Sequence, residues 1–223
     1  MSATLESLLP GTLVIRNQTQ FDGFWTLSKD KRAQVLGISG HVPHGIHRVL
    51  GQECAYATML RDPIERLPGI FVKHLLSKGF DPASVSLRDY DFSEYPIIDN
   101  MLTRRLCTYD WPVTSIHWAR RTPLGCVTQE MYEQAVGVLQ DCAAIGFYEN
   151  FDVSTEVILR GLSLPSSPIP RVNVGNYDRS LLDISDADRE FLEERNALDI
   201  ALYECAKKLS TDSPASKIAQ PPK

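Results

Sequence analysis

The stretch Arg61-Asp62-Pro63-Ile64-Glu65-Arg66 combines residue types that can hold an anion. Asp62 is a strong N-cap type, and Pro63 suits the first helical position, where a missing N–H costs nothing. Glu65 stands three residues after the cap, where it would close a capping box. The spacing predicts a helix beginning at Pro63. Free N–H groups and the positive dipole end at such a start favour a phosphate, and Arg61, just ahead of it, adds a full charge and a bidentate fork. The alternative for Arg61 and Arg66 is surface pairing with Asp62 and Glu65 alone.

His41, His44 and His47 form an H-x-x-H-x-x-H string behind Gly40. An imidazole titrates near neutrality, so His41 could accept a proton in catalysis; the plainer alternative is a structural histidine bonded to a backbone carbonyl. The same string could be read as a metal site. Pro43 and Gly45 interrupt any helix that would align the rings, and no nearby Cys or paired carboxylate completes a shell, so no metal is expected. Arg104/Arg105 and Arg120/Arg121 are further cationic pairs, the second expected to lie on a solvated surface. The aromatic-rich residues 109–118 read as core or lid and are assigned no chemistry.

Elements of ordinary kind must position these groups. Residues 35–39, ending at Gly40, residues 54–60 and residues 144–148 are short apolar runs of the length of buried strands. Residues 128–143 carry Tyr132, Ala135, Val136, Leu139, Cys142 and Ala143 at helical spacing behind a Thr128 cap. Asp152 can cap a short helix reaching Leu162, with Gly161 at its stop. Ser185 opens a last helix with Phe191, Leu192, Leu198, Leu202, Cys205 and Leu209 on one face. Residues 163–170, rich in Pro and Ser, read as a loop. Strands alternating with helices predict a largely parallel sheet covered on both faces, with ligands bound beyond the carboxyl ends of its strands.

Composition narrows the classes. With 223 residues, 43% of them hydrophobic, one core and one domain are expected, over residues 1–210, followed by a disordered tail at 211–223. A net charge of −5 gives no general attraction to nucleic acid or anionic lipid, so any bound anion must be held by a local cluster. The five cysteines are odd in number and include no C-x-x-C pair. The first residues lack a basic segment ahead of an apolar one, and no uncharged run approaches a membrane span, so a soluble cytoplasmic protein is the expectation.

The wider pattern is more specific. Gly40-His41-Val42-Pro43-His44-Gly45-Ile46-His47, a spacer, and then Tyr56 through Arg66 resemble the PAPS-dependent sulfotransferases related to heparan sulfate 2-O-sulfotransferase. Asp99-Asn100 followed by Thr103-Arg104 resembles that family's D-N-x-x-T-R segment. Ile145 through Asp152 resembles its V-G-L-T-E-x-F-D stretch, and Asn196-x-x-Asp199-x-x-Leu202-Tyr203 its closing helix. The resemblance implies a three-layer α/β/α, P-loop-NTPase-like fold with a mainly parallel sheet, N-terminally incomplete here. It implies PAPS as co-substrate, with Arg61 at the 3′-phosphate, His41 as base, and a hydroxyl of a carbohydrate or other small molecule as acceptor. Arg66, Gly69, Arg171 and Asn173 would complete the nucleotide site, and Asn100, Arg104 and Arg105 would face the acceptor.

Three departures from that pattern support an alternative. Nothing before Gly40 matches the family's P-K-x-G-[ST] loop for the 5′-phosphosulfate; Gly69 stands where a serine is expected; and Pro68 falls inside the helix begun by Pro63, where it should kink it. The alternative is a non-catalytic protein of the same fold that binds a nucleotide or a partner.

Overall fold

The computed structural model describes residues 8–15, 17–40, 42–107, 118–170 and 184–212. Strand β1 (Thr12–Ile15) is followed by helices α1 (Gln18–Thr26) and α2 (Lys29–Ala33) and by strand β2 (Gly37–Gly40). β1 and β2 pair in parallel, Thr12 opposite Gly37 and Ile15 opposite Gly40. Asn17 caps α1 by accepting from the Gln20 amide, and Phe21 and Phe24 bury its inner face. Gly40 has a φ of 129°, and a Cβ there would lie 1.9 Å from the Ile15 carbonyl oxygen, so only glycine fits beside β1 at this position.

A short helix, α3 (His47–Leu50), leads to strand β3 (Tyr56–Leu60) and then to helix α4 (Pro63–Ser77). Leu67, Phe71 and Leu75 recur along α4 at helical spacing and are buried, each contributing about 1.5–3 kcal/mol relative to exposure. That burial explains why α4 runs on through Pro68, which removes the hydrogen-bond partner of the Ile64 carbonyl at a cost of roughly 3 kcal/mol. Helix α5 (Met101–Leu106), helix α6 (Gln129–Gln140), strand β4 (Cys142–Phe147) and helix α7 (Phe151–Gly161) follow. β4 lies parallel to β3, Leu60 opposite Phe147, with an irregularity between Tyr56 and Ala57.

Helix α7 packs directly on β4. Ser154 Oγ accepts from the Phe147 amide at 2.7 Å and donates to its carbonyl at 2.8 Å. A Cβ on Gly161 would lie 2.6 Å from that of Ala144, so the close approach requires glycine there. Helices α8 (Asp186–Arg195) and α9 (Ala197–Asp212) are the last elements of the described residues. One apolar core joins α1 and β1 to α4, residues 85–98 and Leu192, while a second lies among β3, β4, α5, α6 and α9.

The architecture is mixed α/β, and the described residues form two separate two-stranded parallel sheets, β1-β2 and β3-β4, where the sequence predicts one. β1 and α1 were not anticipated: Thr12–Ile15 is too short and too close to Pro10 and Gly11 to stand out as a strand. The helix predicted over 128–143 ends at Gln140, because Cys142 and Ala143 enter β4, which starts two residues earlier than expected. The single last helix is two, broken at Asn196, and helical structure continues past residue 210 to Asp212. The rest of the predicted tail lies outside the described residues.

Candidate functional site

β3 delivers Arg61 to its carboxyl end, and α4 begins at Pro63 as predicted. Asp62 Oδ1 accepts from the amides of Ile64 at 2.9 Å and Glu65 at 3.0 Å, while the Arg66 amide donates to the Asp62 carbonyl. With Pro63 carrying no N–H, the first-turn donors offered to an anion by the sequence reading are already taken. An anion at this turn would be held by Arg61 and by the dipole of α4. Arg61 is exposed, its guanidinium 5.2 Å above the Tyr148 ring, and one terminal nitrogen donates to the Glu65 carbonyl at 3.4 Å. Most of its fork faces solvent.

The capping box is completed from elsewhere. Glu65 does not reach back to the Asp62 amide; it pairs with Arg189 of α8 at 3.1 Å. The Asp62 amide instead donates to Glu149 Oε1 at 2.8 Å, and Glu149 Oε2 accepts from the Tyr203 hydroxyl at 2.8 Å. Burial and the Glu149 carboxylate push the Tyr203 hydroxyl above its ordinary pKa, which keeps it a donor. Glu149 and Tyr203 thus tie β4 and α9 to the turn that carries Arg61. Both stand in segments quoted for the family resemblance, but composition and spacing gave neither a role.

Arg66 turns inward. Burial brings its guanidinium down to about 10, against the opposing pull of the nearby Asp199 carboxylate, and its Nε has no hydrogen-bond partner. Gly69 lies in the second turn of α4, partly buried. His41, Arg171 and Asn173 lie outside the described residues.

Asn100, Arg104 and Arg105 sit on or beside α5, and the first two belong to a buried polar knot. Asn100 is in the left-handed region, with a φ of 49°. Its amide donates to Asn196 Oδ1, its side-chain nitrogen to Asp99 Oδ1 at 3.1 Å and to the Arg195 carbonyl at 3.0 Å, and its Oδ1 accepts from the Asp199 amide at 3.0 Å. Arg104 is fully buried, pairing with Asp99 Oδ2 and donating to the carbonyls of Asp99, Ala119, Thr122 and Pro123. Asp199, also fully buried, accepts from the amides of Leu102 and Thr103 at 2.7 Å each and so caps α5 from α9. In this geometry Asn100 locks the start of α5 to the α8–α9 junction, and Arg104 ties α5 to Asp99 and residues 119–123. Arg105 projects from α5 and is exposed.

The remaining histidines of the string gather around Tyr56, at the amino end of β3 and so roughly 15 Å from Arg61 along the strand. The Tyr56 hydroxyl accepts from the amides of Gly45 and His47 and lies 2.8 Å from His47 Nδ1. Having one proton and two incoming donors, the hydroxyl gives its proton to Nδ1, which assigns His47 the Nε2–H tautomer. His44 packs against the same ring in a tilted contact, centroids 4.6 Å apart. Burial and the neighbouring His47 hold His44 below the ordinary histidine range. Among the described residues no three His, Cys, Asp or Glu side chains converge as a metal would require.

Comparison with known proteins returns no match: no family model, no curated protein and no solved structure matches this chain.

Proposed function

We propose that this chain is a sulfotransferase-type protein that binds PAPS at the β3–α4 turn and passes its sulfuryl group to a hydroxyl of a carbohydrate or other small acceptor. The observation that carries the reading is Arg61: a guanidinium beyond the carboxyl end of a parallel strand, exposed, with most of its donors turned to solvent at the positive end of a 15-residue helix. Its partner there would be the 3′-phosphate. Arg66, drawn under the turn toward Asp199, adds positive potential from below.

In the proposed reaction the acceptor oxygen attacks sulfur, the bond from sulfur to the bridging phosphate oxygen breaks, and PAP departs with that electron pair. The acceptor's proton goes to a base, for which the resemblance nominates His41. Alignment of donor and acceptor and charge stabilisation on the departing phosphate supply the rate. The engaged first-turn amides leave Arg61 as the group on which nucleotide affinity depends most.

A second reading is a non-catalytic nucleotide-binding or interaction module. It is favoured by the state of Asn100 and Arg104, whose polar groups are engaged within the protein. Calorimetric titration with PAP at fixed salt tests both. Micromolar binding by the wild type, lost in Arg61→Ala, is expected of the enzyme and of a nucleotide-binding module; absence of binding overturns both of these and leaves only an interaction module. PAPS turnover abolished by His41→Ala then selects the enzyme, and binding without turnover selects the module.

A further inference from the structure

The far end of α4 builds a second, unassigned cavity. His74 lies eleven residues past Pro63, so roughly 17 Å of helix separates it from the Arg61 turn. With Lys78, Phe80, residues 90, 91 and 93–95, and Arg120 it lines a cavity of about 450 Å³. The size is that of sites for one- or two-ring molecules.

Its walls are fixed by the core beneath them. Tyr90 packs edge-on against the buried Phe71 and Phe92, at 5.4 and 4.9 Å, which aims its hydroxyl at His74 Nε2, 2.7 Å away. The His74 ring lies 4.9 Å from that of Tyr95, and the Arg120 guanidinium sits 4.3 Å over Tyr95. Phe80, 50% exposed, brings an apolar surface to this otherwise polar cavity.

The charges are arranged unusually. Lys78 and Arg120 make no ion pair among the described residues, although Asp91 and Glu94 line the same cavity. Asp91 is turned onto Ser93, accepting from its amide at 2.9 Å and from its hydroxyl at 3.0 Å. Lys78 and Arg120 line the cavity together with His74, and burial and these two charges hold the imidazole below the ordinary histidine range. Two cations without a carboxylate partner, lining one cavity with an imidazole and an open aromatic ring, are complementary to an anion carried on a ring.

We infer that the cavity of His74, Lys78, Phe80, Tyr90, Tyr95 and Arg120 is a binding site for a small ring-bearing anion, a carboxylate, phosphate or sulfate ester. Lys78 and Arg120 take the charge, Phe80 takes the ring, and the His74–Tyr90 pair meets a polar substituent. The site does not depend on the PAPS reading.

The test is calorimetric titration of the full chain with phenyl phosphate, with thermal midpoints confirming that each variant is folded. The expected result is saturable binding that Lys78→Gln and Arg120→Gln each weaken about tenfold, the loss of one charge-assisted hydrogen bond. Phe80→Ala is expected to weaken phenyl phosphate and leave inorganic phosphate unchanged. The His74 resonances should titrate at higher pH when the anion is bound. Absence of saturable binding overturns the inference. So does binding that both glutamine variants leave intact, or binding that Arg61→Ala removes.

Discussion

Two arginine-bearing segments of this chain spend their charge in opposite ways. In residues 99–104 the guanidinium of Arg104 is fully buried and its donors go to Asp99 and to carbonyls of residues 99–123. In residues 61–66 the guanidinium of Arg61 is exposed and touches one carbonyl and one ring face. The first arrangement stabilises the fold and has little left for a ligand; the second does little for the fold and keeps its donors available. Residue type alone does not separate the two roles. Burial and the accounting of donors do.

Replacing Arg104 should show the largest effect. Arg104→Ala leaves the Asp99 carboxylate and several carbonyls unpaired in the interior and should cost about 3–5 kcal/mol in urea unfolding. Arg104→Lys should recover little of it, since an ammonium cannot span the same acceptors. Near-wild-type stability in Arg104→Ala would break the comparison at its buried end.

Asp62→Ala sharpens the exposed end. It frees the Ile64 and Glu65 amides and should cost about 1–2 kcal/mol. If the amides then serve an anion, PAP binding should persist or strengthen in this variant although the fold is weaker, an outcome calorimetry and thermal melting read separately.

A third effect concerns acid. His44 and His74 are both held below the ordinary histidine range, His44 by burial and by His47 and Arg48 against the opposing pull of Asp141, His74 by burial and by Lys78 and Arg120. The unfolded chain therefore binds protons that the folded one refuses. Stability should be fully present above the ordinary histidine pKa and fall as pH drops through it toward the folded values. Unfolding curves between pH 7 and 5 check this, and His44→Gln with His74→Gln should flatten the slope.

The smallest change in stability belongs to Arg61→Ala, at most about 0.5 kcal/mol, because an exposed residue with one long hydrogen bond contributes little. That variant is the mirror of Arg104→Ala: its loss should appear in binding and not in unfolding. A large drop in its thermal midpoint would mean that the β3–α4 turn, too, is a structural cross-link.

Local chemistry made three helix starts legible, but not that of α7, which begins at Phe151 behind Asn150 so that Asp152 lies in its first turn and does not cap it. Asp62 before Pro63, Thr128 before Gln129 and Ser185 before Asp186 each cap a helix where the sequence places one, because a cap is settled within about three residues of chain. The placement of Arg61 at a strand's end was equally readable. β1 was not legible, since a four-residue strand gains its identity from pairing with β2.

The partners of those local elements were decided only in three dimensions. Glu65 has the right type and spacing to close its own capping box, yet Glu149, 87 residues away along the chain, takes the Asp62 amide, and Glu65 is drawn to Arg189. Asn196 breaks what reads as one helix because its side chain bonds the Ile98 carbonyl and its oxygen takes the Asn100 amide, a bargain invisible to helical periodicity. The cavity of His74 and Arg120 likewise joins segments whose charges carry no spacing signal. The sequence by itself determined the starts of α4, α6 and α8 and that Arg61 leads a helix from a strand's end, since these depend on neighbours within a turn. Which arginine is locked and which is open was left to tertiary structure, because burial and hydrogen-bond partners are set by residues far apart in the chain.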